Sequence, residues 1–348
     1  MGRTAPRAAG GRSRSVGLAV AAVGVIAVAA GVVWPSLQGR GTAAASGGGV
    51  IRIPSADADA AASYWGARLS SAPPGSAGPQ ASGSAGAGAL ASPGLPSPTG
   101  TGGTVRAVAG PGAPMTVSSP LSGAPFAGAS QVGALFGTEN GSISGQGHYC
   151  SGSVVNSPKG DIVVTAAHCV YDSSGVYTDI AFVPGYHDGQ DPYGVWIPSA
   201  VVVAPQWASS SNPDYDVAFL VVHEAGSAAR IQDVVGGDQL QIKPSYTGLT
   251  QVIGYPQATD KPIACTNYTT EYSDASLGTA ELQFPCADFP GGTSGGPFLQ
   301  NVDANTGQGT IVGVVGGYQA GGDTPDESYS SYFGDWVGSL LTQAESED

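Results

Sequence analysis

The sequence predicts an all-β domain that begins at about residue 126 and ends in one helix. Beyond residue 130 the chain consists of short runs of β-branched and aromatic residues separated by Gly, Pro, Asp and Asn, which is the pattern of a sandwich or barrel. Only the C-terminus is strongly helical, because apolar side chains recur there at helical spacing. They are Phe333, Trp336, Val337, Leu340 and Leu341.

Eight segments match the strand pattern most clearly. They are residues 132–136, 151–155, 162–167, 180–184, 195–203, 217–222, 279–284 and 310–315.

Residues 41–125 have a different composition, since they are mainly Ala, Gly, Ser and Pro. They include only one short stretch with helical character, residues 61–69. Such a segment buries too little apolar surface to offset its ordering entropy. We therefore expect a disordered linker over 41–125 and a folded domain over 126–348.

Residues 1–40 have the pattern of a signal peptide or a signal anchor. Basic residues come first, and an uncharged apolar run follows over residues 16–34. The run approaches the length that spans a bilayer, so cleavage and tethering both stay open. The prediction is an exported protein, either secreted or held at the membrane through this segment alone.

The charge of the chain excludes several classes of partner. The formal net charge is −14, and from residue 130 onward there are only four basic residues against 24 acidic ones. Such a surface repels nucleic acid and anionic lipid. The four histidines form no HExxH or similar metal-binding spacing, so we predict neither a metal nor another cofactor.

The four cysteines all lie in the predicted domain, at Cys150, Cys169, Cys265 and Cys286. An even number fits disulfides in an exported chain. Three pairings are possible, and we favour the short-range one, which joins Cys150 to Cys169 and Cys265 to Cys286.

A candidate nucleophile, Ser294, lies in the run GTSGGP over residues 292–297. Glycines there allow a tight turn that exposes the hydroxyl and directs backbone N–H groups inward. The run also matches the nucleophile elbow of α/β-hydrolases, in which the histidine follows the serine. All four histidines, His148, His168, His187 and His223, precede Ser294, so that alternative fails.

The candidate general base and its orienting carboxylate are His168 and Asp216. His168 closes the apolar run VVTAAHC over residues 163–169, which provides a fixed backbone beside Cys169. Asp216 opens the apolar strand over residues 217–222, as expected for a shielded carboxylate that orients an imidazole. Asp214 lies in an Asn-Pro-Asp turn, where capping is the usual role of aspartate.

These residues resemble the chymotrypsin-like, or trypsin-like, serine peptidases, especially the secreted bacterial members. The resemblance rests on TAAHC at 165–169, DVAF at 216–219 and GTSGGP at 292–297, in that order. It implies two six-stranded Greek-key barrels with the triad His168, Asp216 and Ser294 in the cleft between them. It further implies an acyl-enzyme mechanism, an oxyanion hole formed by the Gly292 and Ser294 amides, and a Cys150–Cys169 disulfide.

The resemblance also suggests where a peptide or protein substrate binds. Gly316 and Gly317 correspond to the strand that pairs with substrate backbone, and Asp288 to a pocket base that accepts Lys or Arg. A glutamyl or small apolar preference is the alternative. A non-catalytic binding domain is a further alternative, although such a domain would not need the complete triad.

Thr293 and the lack of an Ile-Val-Gly-Gly start predict activity without proteolytic activation. We also expect a monomer.

Overall fold

The computed structural model of the chain describes residues 49–69, 121–138 and 147–347. The predicted signal segment over residues 1–40 lies outside these ranges. The helices are α1 Ser55–Leu69, α2 Pro205–Ser210, α3 Ile231–Val235 and α4 Asp335–Glu345. The strands are β1 Gly49–Arg52, β2 Ala124–Pro125, β3 Val132–Thr138, β4 Cys150–Val155, β5 Ile162–Thr165, β6 Tyr171–Asp172, β7 Gly175–Val176, β8 Thr178–Pro184, β9 Trp196–Val203, β10 Ala218–Glu224, β11 Gln239–Leu240, β12 Leu249–Gly254, β13 Ile263–Tyr268, β14 Thr270–Tyr272, β15 Glu281–Pro285, β16 Pro297–Gln300, β17 Thr310–Val314 and β18 Glu327–Ser330.

The first half of the domain is a closed barrel of six antiparallel strands. Its order is β9-β10-β5-β4-β3-β8, and a pairing between β8 and β9 closes it. Strands β4 and β5 are buried along their whole length, which agrees with the apolar run of β5, while β4 also buries Ser151 and Ser153. Large fully buried side chains such as Leu135, Ile162, Phe182 and Phe219 fill the interior. The β-branched residues of these runs suit a pleated, packed surface, and the predicted strands are confirmed here.

The second half is built from two sheets. One has the order β11-β17-β16-β12-β13-β2, and the other has the order β14-β15-β18. Side chains of both sheets meet in a second core that includes Val252, Phe284, Phe298 and Val312. The predicted all-β class and the first six-stranded barrel are confirmed, while the second half consists of these two sheets rather than of a second closed six-stranded barrel. Strands β2, β11–β14, β16 and β18 add to those that the pattern identified.

Part of the predicted linker is folded. Residues 49–52 form β1, which pairs antiparallel with β9, and residues 55–69 form α1. On the C-terminal side of the predicted linker, β2 pairs with β13, so the folded domain begins before residue 126. The expectation of a disordered spacer over 41–125 thus does not describe these residues, because β1 completes a sheet edge and α1 buries one face. The rest of the predicted linker lies outside the described residues.

The predicted C-terminal helix is confirmed as α4. Val337, Leu340 and Ala344 are buried on one face, and Phe333, just before the helix, is fully buried. This is the apolar stripe that the sequence predicts, packed on the barrel. Among the described residues, no helix combines the length and the apolar composition needed to cross a bilayer.

Candidate active site

The His168 side chain is carried by a short 3-10 turn, Ala167–Cys169, directly after β5. Strand β5 is fully buried, and a disulfide between Cys150 and Cys169 ties the turn back to the start of β4. The imidazole itself is 22% exposed, so one edge is accessible while the other faces the protein. The predicted disulfide therefore fixes the backbone on which His168 sits.

Asp216 receives two hydrogen bonds from His168. The backbone amide of His168 donates to Oδ1 at 2.8 Å, and the ring Nδ1–H donates to Oδ2 at 2.7 Å. The Asp216 side chain is fully buried, and its own amide donates to the hydroxyl of Ser331 at 3.2 Å. The carboxylate therefore holds the orientation of the imidazole and leaves Nε2 directed away from it.

Burial alone would lower the pKa of His168. The charge of Asp216 and the hydrogen bond between the two residues act in the opposite direction, and together they raise the pKa above its ordinary value. Asp216 thus stabilises the protonated imidazole, which is the form that a general base reaches after it accepts a proton.

The loop that carries Ser294 lies against the ends of β4 and β5. The amide of Ser151 donates to the carbonyl of Ser294 at 2.7 Å. A Cβ on Gly295, which has a φ of +78°, would come within 2.1 Å of Thr165 Oγ1. Because the turn with His168 begins just after Thr165, this close approach places the serine loop beside the histidine turn, and only glycine permits it.

Two amides of this loop, those of Gly292 and Ser294, are the predicted oxyanion donors. Within the described parts of the chain, neither the Gly292 amide nor the Ser294 amide donates a hydrogen bond to the protein. Gly292 has a φ of +102°, and its carbonyl is turned away to accept from the hydroxyl of Ser151 at 3.0 Å. Ser294 itself is half-buried. The arrangement offers a partly accessible hydroxyl beside two unengaged N–H donors.

Gly316 and Gly317 are both engaged inside the protein. The Gly316 amide donates to the carbonyl of Tyr329 at 2.9 Å. The Gly317 amide donates to Asp216 Oδ2 at 2.9 Å, so it supports the carboxylate that orients His168. Both N–H groups are therefore engaged within the protein, and the pairing of this segment with substrate backbone stays a prediction.

Asp288 lies at the surface. Its side chain is exposed, its φ is +65°, and its Oδ2 accepts a hydrogen bond from the hydroxyl of Ser122. A pocket base that binds a substrate cation is expected to be shielded from water. The other predicted disulfide, Cys265–Cys286, is present and braces the strands before this loop.

Sequence reasoning missed the tertiary contacts of three polar residues near Asp216. The Ser331 hydroxyl donates to the carbonyl of Pro213 at 2.6 Å, and so fixes the turn before Asp216. Asp214 accepts from the amides of Gly278 and Thr279, beyond the local capping expected of it. Glu281 is fully buried next to this cluster. No local motif marks these residues, because each contacts partners that are distant in sequence.

The geometry suits nucleophilic acyl transfer. A buried carboxylate orients an imidazole, and the adjoining loop carries a half-buried serine and two amides that donate no hydrogen bond within the described part of the chain. These are the parts that proton removal from the hydroxyl and stabilisation of an oxyanion require.

Comparisons with known proteins support this interpretation. The sequence model of the family described as Trypsin matches residues 128–337. No curated protein sequence matches the chain significantly.

Solved structures are also similar to the chain. Protease Anisep from Arthrobacter nicotinovorans is 28% identical, with a TM-score of 0.56, over 64% of this chain and 99% of that one. A thermostable serine protease, AL20, from an extremophilic microorganism is 26% identical, with a TM-score of 0.54, over 63% of this chain and 99% of that one. A Glu endopeptidase structure is 20% identical, with a TM-score of 0.50, over 65% of this chain and 98% of that one, a level that supports the fold alone.

Proposed function

This chain belongs to the trypsin family, and on that premise we propose that it is an exported serine endopeptidase with His168, Asp216 and Ser294 as its catalytic triad. The observation that carries the proposal is the pair of hydrogen bonds between His168 and Asp216, with the Ser294 loop lying beside them. A domain that only binds other proteins has no need to hold an imidazole on a buried carboxylate.

In the proposed mechanism His168 removes the proton of Ser294, whose oxygen attacks the peptide carbonyl. The carbonyl oxygen becomes an oxyanion that accepts hydrogen bonds from the Gly292 and Ser294 amides, each worth about 3 kcal/mol in the transition state. His168 then donates its proton to the leaving amine, and an acyl-enzyme remains. Water hydrolyses the acyl-enzyme by the same route in reverse.

Export is supported by the two disulfides, Cys150–Cys169 and Cys265–Cys286, because such bonds persist in oxidising compartments. The proposed signal segment over residues 1–40 is consistent with that location. Secreted and tethered forms are both compatible with this proposal.

The triad assignment is tested by covalent labelling with a fluorescent organophosphonate. We expect the full chain to react at Ser294, because His168 activates that hydroxyl, and the Ser294→Ala variant to stay unlabelled. Ser151→Ala is not a suitable control, since the Ser151 hydroxyl supports Gly292. Ser63→Ala, on the exposed face of α1, is the matched control and should label fully. A folded, unreactive native protein would contradict the triad.

Cleavage after Lys or Arg is the specificity that we propose through Asp288. Its exposed carboxylate would have to leave the Ser122 hydroxyl and face the pocket when substrate binds. That requirement favours, as the second candidate, a preference that does not use Asp288, such as glutamyl or small apolar residues.

A panel of chromogenic peptides that differ only in the residue before the cut distinguishes the two. If Asp288 binds the cation, native protein prefers Lys and Arg, and Asp288→Asn lowers kcat/KM for those peptides by about 10-fold or more. Equal cleavage of all peptides, or an Asp288→Asn variant with native preference, would exclude the role of Asp288.

A further inference from the structure

Glu281, at the start of β15, is a buried acid that the mechanism does not use. Its side chain has no exposed surface, and its Oε2 accepts a hydrogen bond from the Tyr318 amide at 2.9 Å. Its Oε1 is buried without a hydrogen-bond partner. Among the described residues, no basic side chain forms an ion pair with it.

The carboxyl group of Glu281 lies directly against Gly317. A Cβ on Gly317, which has a φ of +81°, would come within 2.6 Å of Oε2 and 2.7 Å of Oε1. The amide of the same glycine donates to Asp216 Oδ2. Gly317 is therefore held between two carboxyl groups, one of which orients His168.

The groups around Glu281 favour its neutral form. Asp214 and Asp216 lie on the turn beside it, Tyr272 is its register partner on β14, and Tyr318 follows Gly317. Burial raises the pKa of Glu281 most, the Tyr318 amide opposes this, and the charges of Asp214 and Asp216 raise it further, to about 8. A third negative charge in this buried cluster would be unstable, so the acid keeps its proton at neutral pH.

We propose that Glu281 is a positioning residue of the active site that works as a neutral carboxylic acid. It holds the backbone of Gly317 and Tyr318 so that the Gly317 amide can support Asp216, which in turn orients His168. When Glu281 loses its proton, water enters beside Asp216 and the Gly317 amide is displaced. This inference rests on the proposed peptidase function.

The first test compares kcat between pH 7 and pH 10 for native protein and Glu281→Gln, which accepts from the Tyr318 amide but cannot ionise. We expect native kcat to fall roughly fivefold or more as pH rises through the pKa of about 8, and the variant to change less than about twofold. At pH 7 both should turn over at similar rates. Coincident profiles would overturn the proposal.

Two further variants separate positioning from general packing. Glu281→Ala removes the acceptor of the Tyr318 amide, so kcat at pH 7 should fall by about 10-fold, a loss that Gln restores. Glu327→Gln changes a half-buried acid on the neighbouring β18, and its pH profile should follow that of the native protein. A profile for Glu327→Gln that matches Glu281→Gln would also refute the proposal.

A second measurement does not depend on activity. An unfolded glutamate titrates near pH ~4.3, so the native fold loses stability as pH rises from there to about 8, while the Gln variant does not. The free energy of unfolding of Glu281→Gln should therefore rise relative to that of the native protein between pH 5 and pH 9. If the difference in unfolding free energy between Glu281→Gln and native protein stays constant over this pH range, this inference alone is overturned. If the difference grows with pH but Ser294 is not labelled, the peptidase proposal is overturned.

Discussion

At the residue scale, the central feature is the number of donors that converge on Asp216. His168 contributes its amide and its ring, and Gly317 contributes its amide, so the buried carboxylate is satisfied without any cation other than a protonated imidazole. Buried charges are tolerated when such bonds replace the lost water. Two of the bonds come from backbone amides and hold the carboxylate in place, so the third fixes the imidazole in one orientation.

The Asp216→Asn variant tests this arrangement. Removal of the charge should lower kcat by about 10⁴-fold, because the imidazole loses its orientation and its protonated form is no longer stabilised. The same change should shift the acid limb of kcat/KM to lower pH. In native protein that limb lies above the ordinary histidine pKa, since Asp216 raises the pKa of His168. Peptide hydrolysis from pH 5 to pH 9 measures both effects.

Asp214→Asn is the matched control, two positions away. Its side chain binds the amides of Gly278 and Thr279 rather than His168, so activity should stay within about 10-fold of native and the acid limb should not move. An Asp216→Asn variant that keeps a comparable fraction of activity would show that the carboxylate does not orient the base.

At the element scale, the segment formed by β1 and α1 extends the first barrel. Strand β1 covers an edge of β9, and α1 buries Ala58, Ala61, Trp65 and Leu69. The Trp65 ring lies 5.1 Å from that of Phe136, and its Nε1 donates to the Asp179 carbonyl at 2.5 Å. An aromatic residue buried with its N–H satisfied is a strong anchor.

Trp65→Ala tests the docking of this segment. The lost contacts and the cavity should lower the free energy of unfolding by about 3–5 kcal/mol. Urea unfolding followed by circular dichroism measures the change. Ser63→Ala, on the exposed face of the same helix, should change stability by less than ~0.5 kcal/mol. Equal stabilities for Trp65→Ala and native protein would mean that the segment does not stay docked in solution.

The elements differ in how well the sequence predicts them. The strands of the first barrel and α4 were predicted because their apolar periodicity is local and strong, as at Val337 and Leu340. Helix α1 was predicted only over residues 61–69, since two of its four buried residues are alanine and it lies in a segment of linker-like composition. What decides its structure is the barrel surface that receives it.

At the scale of the whole molecule, the two disulfides are bonds of the kind that persist in oxidising environments. The bonds join cysteines 19 and 21 residues apart, and each contributes about 3 kcal/mol on the chain-entropy model. Cys150–Cys169 supports the histidine turn of the first barrel, while Cys265–Cys286 braces the second half. Each half thus has a disulfide of its own, and that of the first half lies next to His168.

By itself, the sequence determined the fold class and the candidate triad of His168, Asp216 and Ser294, whereas it left three disulfide pairings open, of which the favoured one is present. These follow from short motifs whose turns and alternation depend on neighbouring residues. The tertiary structure alone decided that Gly317 supports Asp216, that Glu281 lies beside it, and that α1 belongs to the barrel. Burial and the approach of distant backbone set these contacts, and neither is encoded in a local pattern.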